Sequence, residues 1–347
     1  MHSSEALQLL TQRRRVRREE PFLFRADARI DPGGTGTESP PSSWLRFLIS
    51  RILCLSASLR EKCPGPLSKA VLAVLSLAGT LTAMPAGAEE VPYVQTPANV
   101  VEAMLSIAEV GAQDYLVDLG SGDGRIVIAA AKFRGARALG IDYDPWLIAE
   151  SRRNAVREGV ADRVAFLQKD IFAADFRDAT VVTMYLLPDV NLEIRPTVLF
   201  QLRPGTRVVS HDWDMGGWEP DRQITVEAPT KTIGLRKESR VFFWIVPARV
   251  AGYWRGSIVG PGGEEPVVIE VAQRFQTASA SVWLRRWNLP ASGRLTGDRL
   301  ALRLDRSPWM PDSRPLQFAL KVEGSRLEGE AMDGETRYIL RAARITD

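Results

Sequence analysis

Cysteine and histidine are scarce in this chain of 347 residues, and their positions restrict its chemistry. Both cysteines, Cys54 and Cys63, precede residue 89, which excludes a disulfide framework, a cysteine-based zinc site and a cysteine nucleophile from the rest of the chain. His211 is the only histidine besides His2, which argues against a histidine-based metal cluster and an ordinary Ser-His-Asp triad. No metal is therefore expected in the main part of the chain.

Positive charge is concentrated at the N-terminus. Residues 1–88 contain 12 Lys and Arg against 7 Asp and Glu, whereas residues 89–347 contain 33 against 35. Residues 89–347 thus lack the net positive charge of a nucleic-acid-binding domain, and no nucleic-acid partner is expected. The 45% apolar and 25% charged residues are typical of globular proteins, which excludes a mostly disordered chain and a multi-span membrane protein.

The first 88 residues resemble a leader rather than a domain. Residues 1–64 have no sustained apolar period, which predicts disorder or a translation start placed too early. Lys62 and Lys69 then precede an apolar run from Ala70 to Met84 and a small-residue cleavage site at Ala86-Gly87-Ala88, the order found in signal peptides. An uncleaved membrane anchor and a buried helix are the alternatives. We expect an exported, periplasmic or membrane-anchored protein, or a cytoplasmic one if the leader is not part of it.

Residues 89–248 alternate between apolar strand patterns and helical patterns. Such alternation predicts right-handed βαβ units and a Rossmann-like α/β fold with a seven-stranded, mainly parallel sheet. The predicted strands are Tyr115–Leu119, Ala136–Ile141, Arg163–Leu167, Ala179–Leu186 and Thr206–Ser210, the helices Arg125–Phe133, Pro145–Arg157 and Val190–Leu202, and the closing hairpin pair Gln223–Glu227 and Val241–Val246.

Residues 249–347 change to short strands punctuated by turns. About eight strands at this spacing predict a small all-β antiparallel barrel or sandwich. Its opening segment, Val250–Gly256, resembles the start of lipocalin-like barrels. The domain either binds an apolar ligand or partner or is simply packed, with Trp254, Trp283, Trp287 and Trp309 as candidate core residues.

A glycine-rich turn follows the first predicted strand. Gly120, Gly122 and Gly124 let the backbone turn sharply and approach a ligand at the carboxyl end of that strand. Arg125 stands where a dinucleotide-binding motif needs its third glycine, which argues against NAD. Asp142 and Asp170 follow the next two strands, where carboxylates can accept hydrogen bonds from a ribose and an adenine amine. Each feature alone has a structural explanation, but together they predict an adenosyl-ligand site.

The segment from Val117 to Arg125, VDLGSGDGR, resembles the first motif of class I S-adenosylmethionine-dependent methyltransferases. Three more segments, Val91–Pro97, Gly140–Leu147 and Trp213–Pro220, resemble one branch of that superfamily. This branch contains the mitochondrial protein-lysine methyltransferases acting on ATP synthase subunit c and on the adenine nucleotide translocase, with bacterial relatives. The resemblance covers about residues 91–222 and implies S-adenosylmethionine as the cofactor.

The resemblance also implies a role for individual residues. Asp118, Gly120, Ser121 and Gly122 would line the methionine side of the cofactor, Asp142 would hold the ribose, Asp170 with Ile171 the adenine, and Thr96 would lie over the cofactor. The family often has glutamate where this chain has Asp142, which is one methylene shorter.

The acceptor surface is expected beside the fourth strand. The sulfonium of S-adenosylmethionine is already activated, so such an enzyme mainly aligns the two reactants. A lysine acceptor must also lose a proton. Tyr185 is the candidate catalytic residue that orients the acceptor nitrogen, or else a half-buried strand residue. His211, Asp212, Trp213 and Trp218 form either a lip of the acceptor site or a packed corner.

The sequence therefore predicts an S-adenosylmethionine-dependent methyltransferase that acts on the lysine side chain of a protein. Two alternatives remain at this point: a non-catalytic envelope binding module that works through the β-domain, and an O- or N-methyltransferase with a small-molecule acceptor. Export would separate the enzyme from cytoplasmic S-adenosylmethionine, whereas the N-terminal segment would allow membrane association.

Overall fold

The computed structural model describes residues 93–345 apart from 233, 235, 305–314 and 334, all within one unit, Val91–Asp347. The predicted leader and signal peptide and Trp309 lie outside the described residues. The first half forms an α/β sheet and the second a closed barrel. Among the described residues, no helix is both long and apolar enough to cross a membrane.

The α/β half contains four helices and seven strands within the described residues. The helices are α1 (Ala98–Ile107), α2 (Arg125–Arg134), α3 (Pro145–Arg157) and α4 (Pro188–Gln201). The strands are β1 (Tyr115–Leu119), β2 (Arg137–Asp142), β3 (Val164–Gln168), β4 (Val181–Met184), β5 (Arg207–His211), β6 (Arg222–Glu227) and β7 (Glu238–Ile245). The order across the sheet is β3-β2-β1-β4-β5-β7-β6.

Strands β1 to β5 run parallel, and β7 pairs antiparallel with both β5 and β6. The predicted seven-stranded Rossmann-like sheet with a terminal hairpin is thus confirmed. Because the carboxyl ends of parallel strands share one edge, this topology brings the loops after β1, β2, β4 and β5 together.

Alternate residues of the central strands build two separate cores. Leu116 packs with Val181 and Val209 on the face that also receives α1 and α2. Val117 belongs to the core on the other face, which includes Ile194 of α4. Strand β1 therefore has no solvent-facing side between Leu116 and Leu119, as expected for the centre of a parallel sheet.

Helix α1 was missing from the sequence prediction. It begins after Pro97, and its buried residues Val100, Val101, Met104 and Leu105 form a stripe with helical spacing. This stripe joins the core that contains Ile126 of α2 and Phe243 of β7, so α1 covers one face of the sheet.

The second half is a closed antiparallel barrel, which decides between the predicted barrel and sandwich. Its strands are β8 (Gly252–Gly260), β9 (Gly263–Arg274), β10 (Thr277–Leu284), β11 (Trp287–Thr296), β12 (Arg299–Leu304), β13 (Gln317–Glu323), β14 (Arg326–Asp333) and β15 (Thr336–Arg344). Strand β15 pairs with β8, which closes the barrel. Strand β11 was not predicted, because Pro290 and Gly293 interrupt its strand pattern.

Apolar side chains from all eight strands form one continuous core in this barrel. Trp254 is fully buried there and donates its indole N–H to the Val250 carbonyl at 2.8 Å, while the Arg344 guanidinium stacks 4.3 Å from its ring centroid. Trp283 and Trp287 are only half-buried. The continuous core agrees with the packed-domain alternative.

The turn between β9 and β10 joins the barrel to the α/β half. Phe275 stacks on Trp218 with 6.2 Å between ring centroids, and buried Gln276 donates from Nε2 to the Glu219 carbonyl at 2.7 Å. Arg294 forms a 2.6 Å ion pair with Asp221. These contacts fix the segment that follows β5 against the barrel.

Candidate active site

The turn between β1 and α2 depends on glycine geometry. Gly120 and Gly122 have φ values of 72° and 53°, a left-handed region that other residues adopt only with strain. A Cβ on Gly120 would lie 2.7 Å from Leu186 Cδ2, and a Cβ on Gly122 would clash with the Tyr93 ring. Both the backbone conformation and the close packing therefore require glycine.

Asp142 at the end of β2 is fixed against this turn. Its Oδ2 accepts from the Gly122 amide at 2.8 Å, and its Oδ1 accepts from the Asp144 amide at 3.0 Å. Since a carboxylate oxygen has two lone pairs, each oxygen keeps capacity for one more hydrogen bond. Asp142 is only 6% exposed, so its orientation is set by the protein and not by solvent.

Asp118 is the most perturbed carboxyl group of the site. It is buried at the end of β1, where Thr183 Oγ1 donates to its Oδ1 at 2.7 Å. Burial raises the pKa of Asp118 to about 8, and the neighbouring Asp142 adds to the increase. A cation placed next to Asp118 would favour its ionised form.

The N-terminal segment is tied to the glycine turn. Arg125 donates from Nη1 to the Thr96 carbonyl at 2.8 Å and binds Asp123 through its other nitrogens. Burial opposes ionisation of Asp123, but the hydrogen bonds from Arg125 outweigh it and lower the pKa of this carboxyl. The Tyr93 hydroxyl accepts from the Asp123 amide at 3.2 Å. Thr96 is therefore held beside the turn.

Asp170 and Ile171 follow β3 on the same edge. Asp170 is exposed, and its Oδ1 accepts from the Phe172 amide at 2.9 Å. Ile171 is half-buried and packs against the core on the α4 face of the sheet. The Lys169 amide donates to the Asp142 carbonyl at 2.9 Å, which connects this loop to the end of β2.

Tyr185 and His211 meet at the ends of β4 and β5. Their rings lie 3.9 Å apart between centroids, tilted by 34°. The fully buried His211 contacts Thr96 Oγ1 through Nδ1 at 3.2 Å and Ser239 Oγ through Nε2 at 2.8 Å. Burial lowers the pKa of His211 to about 4, so the ring is neutral at physiological pH.

Asp212 carries the negative charge beside Tyr185 and His211. It has a φ of 63°, and its Oδ2 accepts from the Tyr185 hydroxyl at 3.4 Å and pairs with Lys231 Nζ at 2.6 Å. Its Oδ1 accepts from the Arg240 amide at 3.0 Å. Burial, with Asp212 adding to it, raises the pKa of Tyr185 to about 12, so the phenol stays protonated.

The residues predicted to form either a lip of the acceptor site or a packed corner differ in their burial. His211 and Trp218 are fully buried, so for them the packed-corner interpretation applies. Trp218 stacks on Phe275 with 6.2 Å between ring centroids and contacts the Trp244 ring, tilted by 42°, at 5.8 Å. Trp213 is 40% exposed on the loop after β5.

Sequence reasoning missed three residues of this region. Tyr93 and Asp123 lie within the sequence motifs, but the motifs indicate no role for either, and Lys231 lies outside every motif. The Tyr93 ring against Gly122 could have been suspected from the motif. Lys231 lies between two predicted strands, and no local pattern indicates that it reaches Asp212.

The residues present fit S-adenosylmethionine, the cofactor implied by the resemblance. The positive φ values of Gly120 and Gly122 turn the backbone sharply at the end of β1, the place where ligands bind in open α/β sheets. The Ser121 hydroxyl is buried and has no hydrogen-bond partner within the described structure. Asp142 offers two oriented oxygens to hydroxyl donors, and Asp118 a carboxyl group to a cation.

Comparison with known proteins gives a consistent result. Residues 118–222 match the model of the ANTKMT methyltransferase domain. A protein-lysine N-methyltransferase of Saccharolobus islandicus is 46% identical over 138 residues, 40% of this chain and 86% of that protein. The mouse adenine nucleotide translocase lysine N-methyltransferase is 37% identical over 131 residues, 38% of this chain and 57% of that protein.

A solved structure also matches part of this chain. An RNA methyltransferase from Salinibacter ruber, in complex with S-adenosyl-L-homocysteine, is 51% identical and covers 45% of this chain and 96% of its own, with a TM-score of 0.42. The matches with these relatives extend over less than half of this chain. Because the match covers 86% of the Saccharolobus islandicus protein, this chain belongs to the ANTKMT methyltransferase-domain family of S-adenosylmethionine-dependent methyltransferases.

Proposed function

We propose that this chain transfers the methyl group of S-adenosylmethionine to the lysine side chain of a protein. The observation that carries this proposal is the partly buried carboxylate of Asp212 beside the Tyr185 hydroxyl, at the edge of the sheet that bears the glycine turn. A carboxylate next to a phenol suits an ammonium acceptor. The names of the archaeal and mouse relatives support the same acceptor class.

We also propose how the cofactor is held. Gly120, Ser121 and Gly122 would line its methionine side, where Asp118 would face the amino group. Asp142 would accept from the ribose hydroxyls, Asp170 with Ile171 would border the adenine, and Thr96 would close the site from the N-terminal segment. When bound, S-adenosylmethionine supplies an electrophilic methyl group.

The chain's own residues would prepare the acceptor. Asp212 would attract the lysine ammonium and neutralise its charge, and the ammonium would then lose its proton to this carboxylate or to water. The raised pKa of Tyr185 keeps its hydroxyl a donor and acceptor of hydrogen bonds rather than a base. His211, neutral and bonded to Thr96 and Ser239, would fix the Tyr185 ring through the tilted contact between the two rings.

Methyl transfer can be tested without knowing the acceptor protein. The full-length chain is incubated with S-adenosylmethionine carrying a tritiated methyl group and with a cell extract from a strain lacking the gene. The protein, RNA and small-molecule fractions are then separated, and the protein is hydrolysed to amino acids. Label in methylated lysine supports the proposal, whereas label confined to RNA, small molecules or other amino acids overturns it.

We propose in addition that the chain is exported or membrane-anchored. The lysines, apolar run and small-residue site between Lys62 and Ala88 support this location. Cell fractionation with N-terminal sequencing of the mature protein tests it. A new N-terminus near Glu89 in the periplasmic fraction supports export, a membrane-bound chain that keeps residues 70–84 supports anchoring, and an intact or later-starting chain in the cytoplasm contradicts both.

A further inference from the structure

Lys231 places its ammonium group next to the Asp212 carboxylate, directly after β5. It lies in the segment between β6 and β7, and only 12% of its side chain is exposed. Its Nζ forms a 2.6 Å ion pair with Asp212 Oδ2 and donates to the Glu238 carbonyl at 2.8 Å. Two acceptors thus fix the position of this ammonium.

A continuous set of contacts leads from Lys231 to the cofactor turn. Asp212 Oδ2, the partner of Lys231, also accepts from the Tyr185 hydroxyl at 3.4 Å. The residue after Tyr185, Leu186, packs so closely on Gly120 that an added Cβ would lie 2.7 Å from it. The Lys231 ammonium therefore stands among the groups that the proposed function assigns to the acceptor lysine.

The other described lysines have different surroundings. Lys132 and Lys321 pair with carboxylates on the surface, and their side chains are 43% and 56% exposed. Lys169 and Lys237 are exposed as well. Among the described lysines, Lys231 alone is held in a mostly buried position at the end of β5.

We propose that Lys231 is methylated by the chain that carries it. This inference rests on the proposed function, because it requires a lysine acceptor. In the reaction the ammonium first loses a proton to Asp212 or water. The Nζ lone pair then forms a bond to the methyl carbon while the bond from that carbon to the sulfonium sulfur breaks, giving N-methyl-lysine and S-adenosylhomocysteine.

The arrangement also makes Lys231 a competitor of external substrates. Asp212 Oδ2 already carries the ion pair with Lys231 and the hydrogen bond from Tyr185. An incoming lysine must displace the Lys231 ammonium before its own can reach that oxygen. Methylation in the same chain is consequently a first-order event that needs no encounter between molecules.

Mass spectrometry of the full-length protein tests this directly. The chain is incubated with S-adenosylmethionine bearing a deuterated methyl group and without added acceptor. Cleavage after glutamate releases residues 228–238, a peptide that contains both Lys231 and its internal control Lys237. We expect deuterated methyl on Lys231 and at least about tenfold less on Lys237, which is exposed and donates to the Lys231 carbonyl rather than to Asp212, because only an acceptor held next to the reacting group gains from positioning.

The dependence of the methylation rate on protein concentration shows whether Lys231 is methylated by its own chain or by another molecule. The labelled fraction per minute stays constant over a tenfold dilution of the protein if Lys231 is methylated within its own chain. Lys231→Arg keeps the positive charge and removes the label from this peptide, whereas Lys237→Arg leaves it. Absent label, equal label on both lysines, or a rate proportional to protein concentration overturns the inference.

A cofactor-free measurement tests the geometry separately. Acetic anhydride should acetylate Lys231 about tenfold more slowly than Lys237 in the wild-type chain, since burial and the ion pair protect it. Asp212→Asn should remove most of that difference. Equal rates in the wild-type chain would contradict the placement of Lys231.

Failure of the inference and failure of the proposed function give different results. Deuterated methyl on lysines of added proteins but not on Lys231 overturns the inference and leaves the function standing. If calorimetry shows that the cofactor binds, yet no lysine in the protein or in the extract is labelled, the proposed function is wrong and the inference falls with it.

Discussion

The Tyr185 hydroxyl lies 3.4 Å from Asp212 Oδ2 although the two residues follow different strands, β4 and β5. Parallel pairing of these strands, with Met184 opposite Ser210, brings their carboxyl ends together. Burial, with this carboxylate adding to it, keeps the phenol protonated, and the phenol ring packs at a tilt against a histidine that is itself bound on both ring nitrogens. This corner is where the acceptor chemistry is proposed.

Replacement of Tyr185 by phenylalanine should separate binding from catalysis. The ring would still stack on His211, but the hydroxyl that contacts Asp212 would be lost. We expect kcat to fall by about 10- to 100-fold, in the range for loss of a hydrogen bond to a charged group. Cofactor affinity should change less than about twofold, because a single neutral hydroxyl away from the turn is removed.

Steady-state rates with labelled cofactor check the Tyr185 prediction. Tyr253→Phe, in the barrel, removes a hydroxyl that bonds to Glu270 at 2.7 Å and serves as the matched control. Equal kcat values for the two variants would show that Tyr185 is only a strand residue.

The raised pKa of Asp118 predicts a pH-dependent stability. Its folded pKa of about 8 exceeds the unfolded value of 3.8, so between these pH values the folded chain holds a proton that the unfolded chain releases. The free energy of unfolding therefore decreases as the pH rises through this window. Asp118→Asn lacks this titration. Between pH 5 and pH 7.5 its free energy of unfolding should therefore decrease by at least about 1 kcal/mol less than that of the wild type.

Urea unfolding of both chains at the two pH values measures the Asp118 effect. The contribution of His211 to the free energy of unfolding has the opposite pH dependence. Its pKa is lowered from 6.5 to about 4 in the folded chain, so this contribution is lost as the pH falls. Since His211 is present in both chains, the difference between them isolates Asp118. Identical pH dependence would refute the assignment.

Gly122→Ala should damage the turn. A left-handed conformation costs a non-glycine residue about 1–2 kcal/mol, and the new Cβ would clash with the Tyr93 ring. We expect this loss in the free energy of unfolding and at least about tenfold weaker cofactor binding, since the Gly122 amide also orients Asp142. Chemical unfolding and calorimetry provide the two readouts.

Gly111→Ala is the control for Gly122→Ala. A Cβ on Gly111 would have no neighbour within 4 Å. Its stability should stay within about 0.5 kcal/mol of the wild type, as for other surface changes. A Gly122→Ala chain that binds the cofactor as well as Gly111→Ala would contradict the role of the turn.

Phe275→Ala should loosen the contact between the barrel and the loop after β5. Phe275 has a φ of 52°, stacks on Trp218 and lies 5.6 Å from the Arg195 guanidinium, which itself donates to the Met215 carbonyl at 2.6 Å. Loss of the ring should lower the free energy of unfolding by about 1–3 kcal/mol. It should also raise amide hydrogen exchange in residues 212–218.

Phe200→Ala is the matched control for Phe275, because Phe200 is 63% exposed at the end of α4. It should change neither stability nor exchange measurably. Unchanged exchange of residues 212–218 in Phe275→Ala would mean that the barrel does not hold this loop.

Local patterns were sufficient to predict most of the α/β half. Helix α3, Pro145–Arg157, was predicted with its observed bounds, because Asp144 caps its first turn from the side chain and proline begins it. Strand β1 was also predicted with its observed bounds from its apolar residues and the glycine that follows. The omission of α1 was avoidable, since its apolar residues follow a helical period.

Other features depend on contacts distant in sequence. Strand β11 contains Pro290 and Gly293 and is a strand because the closed barrel supplies a partner on each side. Burial of His211 and Trp218 depends on β7 and on the β9–β10 turn, which no local pattern around them shows. The ion pair between Lys231 and Asp212 depends on the same long-range packing.

Calorimetric titration of S-adenosylmethionine into the full-length protein measures the cofactor site itself, with Asp142→Ala as the test variant and Asp162→Ala, an exposed carboxylate, as the control. We expect micromolar binding by the wild type and the control, and about 10- to 100-fold weaker binding by Asp142→Ala, the usual loss for hydrogen bonds to a charged group. No binding by the folded wild type, or equal binding by all three chains, would contradict this expectation.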